Sequence, residues 1–479
     1  MNIIPFSLFR LIVAILVGAA VSTACDTRAT RLHSAFAKYQ AASASGDLRA
    51  TRNALLEVVA ADEDVADYWL ELSKVQIALQ AYPDAYYAAS RALELDRGNQ
   101  EVLNILTQLA LRSGELDLAE KYARSLEMLV PDDAAVKITH GIIALRRGEL
   151  KIANEQANQI LAIQPDSSDA KILKSQILLR EGRTGDAVAL LKAQIQANPR
   201  DIASHRALAA LYEHGGDRQR VAQTRKSIWD LDRTNMDAAV DYVEAAFRAG
   251  DAIGARAASL TVMRDDASPA VIQALLDQWR KYWPGPARVD EARRLARDAM
   301  PSQKLVYAAF LNDVGAWPAA LPLVSPDARL PVSAANIAPN TIMATSLLLS
   351  GKLEAAESRI DEILALDPGN VEALRTRIQL NLIRRNSKDA VADARKIVSL
   401  EPGSARHRLL LAQAFAANGD KRNVRRVLWE SFRDLPKDND EIYPALRKLL
   451  ASSNDQVALR SLDQEYSAQR QAGYLRDFT

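Results

Sequence analysis

The sequence predicts an all-α chain, a solenoid of 34-residue helix–turn–helix units stacked end to end. Three observations carry that reading. Proline returns every 34 residues at Pro131, Pro165 and Pro199, and the beat recurs at Pro368, Pro402 and Pro436. With that proline as place 32 of a unit, place 15 reads Gly46, Gln80, Gly114, Gly148, Gly182, Gly216 and Gly250. Place 20 reads Thr51, Ala85, Ala119, Ala153, Ala187, Val221 and Ala255, small almost throughout. Glycine supplies the positive φ that ends the first helix of a unit. Proline stops the second, because it cannot continue a helix. A small residue between them lets the two helices approach. One such pair cannot bury its apolar face alone, so neighbours stack and share a core.

In chain order, the first segment is MNIIPFSLFRLIVAILVGAAVSTAC, residues 1–25. Arg10 precedes an apolar run from Leu11 to Val21, which has the length of a signal-peptide core and is short for a bilayer span. VSTAC resembles a bacterial lipobox with Ser22 where leucine is preferred, which implies cleavage after residue 24 and lipidation of Cys25. Ser22-Thr23-Ala24 also fits ordinary signal cleavage, and Ile3 to Ala24 fits an uncleaved anchor. Asp26 resembles an inner-membrane retention signal. Residues 25–31 then form a short tether.

Seven units follow over residues 32–269, starting at Leu32, Ala66, Gln100, Ala134, Ser168, Ile202 and Met236. In the second helix of one of them, Ala85, Ala88, Ala89, Ala92 and Leu93 share a face. Residues 270–336 lose the beat, and eight of the 18 prolines fall between Pro284 and Pro339. Pro199 to Pro368 is 169 residues, one short of five units, so two degenerate units fill the gap. There Pro322 is expected to break a long second helix. Three regular units occupy 337–438, from Ile337, Val371 and Ala405, and a last unit with a polar capping helix occupies 439–479.

The pattern resembles the tetratricopeptide repeat family. Trp69, Leu72, Ser73, Ala85 and Ala92 carry the resemblance in one unit, Leu103, Leu106, Ala119 and Pro131 in the next, and Gly141, Ala153 and Pro165 in a third. The resemblance implies a right-handed superhelix, here of about thirteen pairs, whose first helices line a concave groove through places 2, 5, 9, 12 and 13. Place 13 reads Arg112, Arg146, Arg180, His214 and Arg248, and place 12 includes Leu111, Leu145, Leu179 and Phe247. Guanidiniums beside apolar side chains suit an acidic or extended peptide. A cation at that place also offsets the dipole of a helix C-terminus, so both readings stand. The carboxylate clamp of heat-shock co-chaperones needs Lys and Asn at places 5 and 9, where this chain has Phe36, Gln40, Leu70 and Lys74, which puts that role in doubt.

Little else suggests chemistry. Lys and Arg total 61 against 60 Asp and Glu, which argues against a nucleic-acid partner. One cysteine excludes a disulfide framework and a cysteine zinc site. The histidines, His33, His140, His205, His214 and His407, show no i, i+4 ligand spacing. Ser168-Asp169-Ala170-Lys171 spells an S-x-x-K motif without its companions. No cofactor, metal or catalysis is expected. Trp279, Tyr282 and Trp283, at the break in the beat, either mark a docking spot or seal a helix corner. The expected function is an envelope scaffold on the periplasmic face, lipid-anchored with the inner membrane favoured. It binds protein or peptide partners within a pilus, outer-membrane or polysaccharide system. The alternative is an accessory that contacts anionic polysaccharide.

Overall fold

A computed structural model describes residues 28–44, 46–265, 267–328, 331–435 and 439–476. Residues 1–27, including Cys25 and the proposed signal segment, lie outside the described residues, as does Pro436. The described chain is helical, without strands, and falls into two compact units. The first unit holds α1 (28–44), α2 (Leu48–Ala61), α3 (Ala66–Ala78), α4 (Tyr82–Leu95), α5 (Gln100–Ser113), α6 (Leu116–Leu129), α7 (Ala134–Arg147), α8 (Leu150–Ile163), α9 (Ser168–Arg180) and α10 (Thr184–Ala197). The second holds α11 (Ile202–His214), α12 (Arg218–Leu231), α13 (Met236–Arg248), α14 (Ala252–Arg264), α15 (Pro269–Tyr282), α16 (Ala287–Asp298), α17 (Pro301–Asp313) and α18 (Trp317–Ala328). It continues through α19 (Ile337–Leu349), α20 (Leu353–Leu366), α21 (Val371–Ile383), α22 (Ser387–Leu400), α23 (Ala405–Ala417), α24 (Lys421–Asp434), α25 (Asn439–Ser452) and α26 (Gln456–Arg476).

Every first helix of the regular units after α1 starts on the residue the beat assigns, from Ala66 to Met236 and again at Ile337, Val371 and Ala405. α1 differs: it is already helical at residue 28, inside the stretch read as a tether. Its Arg28 reaches Asp62 beyond α2 at 2.6 Å.

The turns follow from local chemistry. Gly114 and Gly148 end α5 and α7 at φ 82° and 80°, in the left-handed region where an L side chain is strained. Gln80 adopts the same conformation at φ 60° without the glycine. The residue just before most of the regular units acts as an N-cap through its side chain, a signal the beat did not reveal. Asn99, Asp133, Ser167, Asp201, Asn235, Asn370 and Ser404 each accept from a backbone N–H of the helix they precede.

Place 20 is the contact point within pairs: Ala85, Ala119, Ala153, Ala187, Ala255, Ala356 and Ala390 are all 0% exposed. Gly141 makes a comparable approach between pairs, since a Cβ there would meet Leu173 Cδ2 at 2.4 Å. Each unit has its own cores. Leu55, Leu72, Leu103 and Leu106 anchor one in the first unit, and Trp279, Tyr307 and Leu311 anchor one in the second. Fully burying such a side chain contributes about 1.5–3 kcal/mol.

The degenerate stretch of the second unit holds the departures. Trp283-Pro284-Gly285-Pro286 ends α15, and α16 packs chiefly on α17 rather than on α15. The expectation that Pro322 breaks the second helix is overturned, because α18 runs through both Pro322 and Pro326. Ala320, Val324 and Ala328, four residues apart on one face, are buried to 1% or less and hold the helix against its neighbours. That packing outweighs the interior backbone hydrogen bonds lost at the two prolines.

Candidate functional site

In the first unit, the sequence-predicted arginines occupy the ends of first helices. Arg112 is exposed and lies over the Tyr82 ring, 3.9 Å from its centroid. Arg146 is half-buried, and its Nη1 donates to the Leu111 carbonyl of α5 at 2.5 Å. That carbonyl lies in the last turn of α5 and also accepts from the Gly114 N–H at 3.2 Å, so this guanidinium staples one pair to the next at a helix C-terminus. Arg180 is exposed. Leu111 and Leu145, expected beside these cations in a groove, are 5% and 4% exposed and belong to the core. Leu179 is half-buried. The reason is geometric: place 12 of these helices turns toward the neighbouring pair.

In the second unit His214 and Arg248 are exposed. Phe247 is 7% exposed and stacks on Tyr282, with ring centroids 5.6 Å apart. Trp279 is fully buried and meets Trp283 edge to face at 4.8 Å. Trp279 therefore belongs to the core, with the half-buried Tyr282 and Trp283 packed against it at the helix corner.

The sequence reading missed a constellation on α17. Asp313, 13th in its helix, stands at the position held by Arg112, Arg146, Arg180 and Arg248 in four other units. Its Oδ1 accepts from Arg375 Nη1 at 3.3 Å and from Arg406 Nη2 at 3.1 Å, and its Oδ2 from Arg280 Nη1 at 3.4 Å. These partners come from α21, α23 and α15, and Arg406 is 93 residues along the chain. Arg406 is second in its helix, Arg375 fifth and Arg280 twelfth, the places the family resemblance assigns to a groove. For α17 to touch α23 through them, the face formed by these first helices must be concave. A cavity of about 410 Å³ lies there, with Val306, Ala309, Ile337 and Ile342 as its apolar part and Asp313, Glu372, Arg375 and Arg406 as its charged part. The available signal was the reversed charge at the 13th helix position, visible once α17 is known to start at Pro301.

The remaining polar candidates have structural settings. Gln194 separates the S-x-x-K pair: Lys171 Nζ donates to its Oε1 at 2.6 Å, and its Nε2 donates to Ser168 Oγ at 2.9 Å. The lysine amine therefore does not sit on the serine hydroxyl as a base would. His140 lies 3.3 Å from Glu127, and His205 Nε2 pairs with the Pro199 carbonyl at 3.0 Å. His407 is 5% exposed, and burial pushes its imidazole below the ordinary histidine range despite Glu401 at 3.4 Å. His33 is exposed on α1. Among the described residues no group of three or more His, Cys, Asp and Glu side chains is placed to hold a metal ion. Among them, too, no helix is long and apolar enough to cross a membrane.

Comparison with known proteins adds the following. The family model described as the Psidin N-terminal TPR repeats region matches residues 143–268. No curated protein matches the chain. Among solved structures, a tetratricopeptide repeat protein from Parabacteroides merdae is 16% identical, covering 52% of this chain and 98% of its own, with TM-score 0.37. A thermophilic TPR protein of Thermus thermophilus is 20% identical over 38% of this chain and 98% of its own, with TM-score 0.33. PilW, described as a widely conserved type IV pilus biogenesis factor, is 19% identical over 42% of this chain and 92% of its own, with TM-score 0.31.

Proposed function

We propose that this chain, which is a tetratricopeptide-repeat protein, works as a non-catalytic protein-interaction scaffold whose second unit grips a partner segment. The observation that carries the reading is the concave face of that unit. Residues at groove places of α15, α17, α21 and α23 converge on one cavity with an apolar side and a charged side. An extended or helical peptide supplies both kinds of contact, an apolar side chain for the cavity and polar groups for its rim. We place the scaffold in a bacterial cell envelope, held by a lipid on Cys25 after removal of residues 1–24, within an export or assembly system. That placement rests on the N-terminal sequence alone. The polysaccharide-contacting alternative keeps less support, because Trp279 is buried and Arg146 is engaged with the backbone.

The test is affinity capture of the tagged full-length chain from its own envelope, beside Cys25→Ser and Ala309→Trp versions. Ala309→Trp fills the cavity. The expected outcome is a defined partner captured by the parent chain and lost with Ala309→Trp, and a Cys25→Ser chain released from the membrane. A partner retained by Ala309→Trp would move the site elsewhere, and a Cys25→Ser chain that stays membrane-bound would overturn the lipid anchor.

A further inference from the structure

A second cavity, away from the groove, follows from the splayed helix α16. Because α16 leaves α15 and lies on α17, a gap of about 400 Å³ opens beside the C-terminal ends of α14 and α16. Met263, Leu295, Ala299 and Met300 give it apolar walls, and Tyr307 of α17 lines it as well. Arg264 and Arg294 reach it from side chains more than half exposed, which places them at the mouth.

Tyr307 is the unusual member. The residue is 1% exposed and lines the cavity; its hydroxyl makes no hydrogen bond to another described residue and is not among the buried atoms closed off from solvent. Burial alone pushes the phenol up to about 12, so it stays protonated and a donor. A donor on a cavity wall is satisfied by water or by the acceptor of a ligand that displaces it. Gln303 beside it is tied to the backbone: its Oε1 accepts from the Met300 backbone at 2.9 Å and its Nε2 donates to the Ala267 carbonyl at 2.9 Å. At the mouth, Arg264 and Arg294 share one carboxylate, Glu291, which lies 3.8 Å from Arg264 and is bonded to Arg294. Two guanidiniums on one carboxylate leave donor capacity over. Asp298 also lines the cavity and is exposed, so it opposes an anion less than a buried carboxylate would.

We propose that this cavity binds a small aliphatic monocarboxylate, its carboxylate between Tyr307 Oη and the two guanidiniums and its chain against Met263, Leu295, Ala299 and Met300. A volume near 400 Å³ is at the low end for small-molecule pockets, which sets the ligand's size. The inference is independent of the peptide-groove reading.

The probes are octanoate and the uncharged 1-octanol, titrated calorimetrically into the full-length chain. Octanoate is expected to bind saturably at one site and 1-octanol about tenfold more weakly or worse. Tyr307→Phe and the double variant Arg264→Gln/Arg294→Gln are each expected to weaken octanoate by about tenfold. Without ligand, Tyr307→Phe should melt no lower than the parent, since its hydroxyl has no internal partner to lose, and it should lose the rise in melting temperature that octanoate gives the parent. Absence of saturable octanoate binding would overturn the proposal. So would equal binding of octanoate and 1-octanol unaffected by the variants, which marks an apolar cleft only. A Tyr307→Phe chain that melts lower and binds octanoate normally would make the phenol a structural group and overturn it too.

Discussion

At Asp313 the chain carries one carboxylate at the helix position that Arg112, Arg146, Arg180 and Arg248 occupy in other units, and three guanidiniums gather on it. Its side chain is 16% exposed and that of Arg375 11%, so solvent screens the cluster only in part. Arg280 and Arg375 keep second partners in Asp277 and Glu372, which limits the damage when Asp313 is lost. Asp313→Asn is therefore expected to cost about 1–2 kcal/mol in urea unfolding, and Arg406→Gln less, because Arg406 is 45% exposed. His407 gives a pH signature. Burial lowers its folded pKa below the ordinary value, so the unfolded state takes up the proton first as pH falls. Stability from this residue is complete above about pH 6.5 and declines below it, by at most about 1.4 kcal/mol per pH unit, until the folded protein protonates as well. His407→Gln should flatten that part of the stability–pH curve. At this scale the sequence was only partly legible. The arginines at Arg112, Arg146 and Arg180 stand out by spacing, but spacing cannot tell that Arg146 bonds a carbonyl 35 residues earlier. Nor can it bring Asp313 to Arg406, because curvature across several pairs decides that contact.

Helices and turns were far more legible, since each depends on residues close in sequence. The glycine and proline beats set the starts of α3 through α13 because positive φ and a missing N–H act locally. Pro322 misled for the opposite reason: the contacts that keep α18 helical are tertiary. The turns also offer a stabilisation. Gln80 and Arg385 sit at φ 60° and 63°, where the equivalent Gly114 and Gly148 are relaxed. Gln80→Gly and Arg385→Gly are each expected to raise stability by about 0.5–1 kcal/mol in thermal or urea melts. Gly114→Ala should lower it by a similar amount; a Cβ there meets nothing within 4 Å, so only backbone strain acts.

For the whole molecule, the cores keep within the two compact units, the division falling at residues 196 and 197. Fragments 28–197 and 198–476 are expected each to show a helical circular-dichroism spectrum and a cooperative melt of their own. A fragment that stays unstructured would show that its cores are insufficient alone. Composition and periodicity had foretold the class of fold, while the division into units depends on which pairs touch and leaves no mark in the beat. The N-caps carry a last consequence. Asp133 and Ser167 each close one 34-residue stretch and open the next, so the chain's grammar has interchangeable clauses. Excising residues 134–167 would set Asp133 directly before Ser168, with a carboxylate where the serine hydroxyl had been and the next helix still begun by a side-chain acceptor. Length is thus adjustable in whole steps without a new junction having to be invented, and a gene of this kind can grow or shrink by duplication and loss alone.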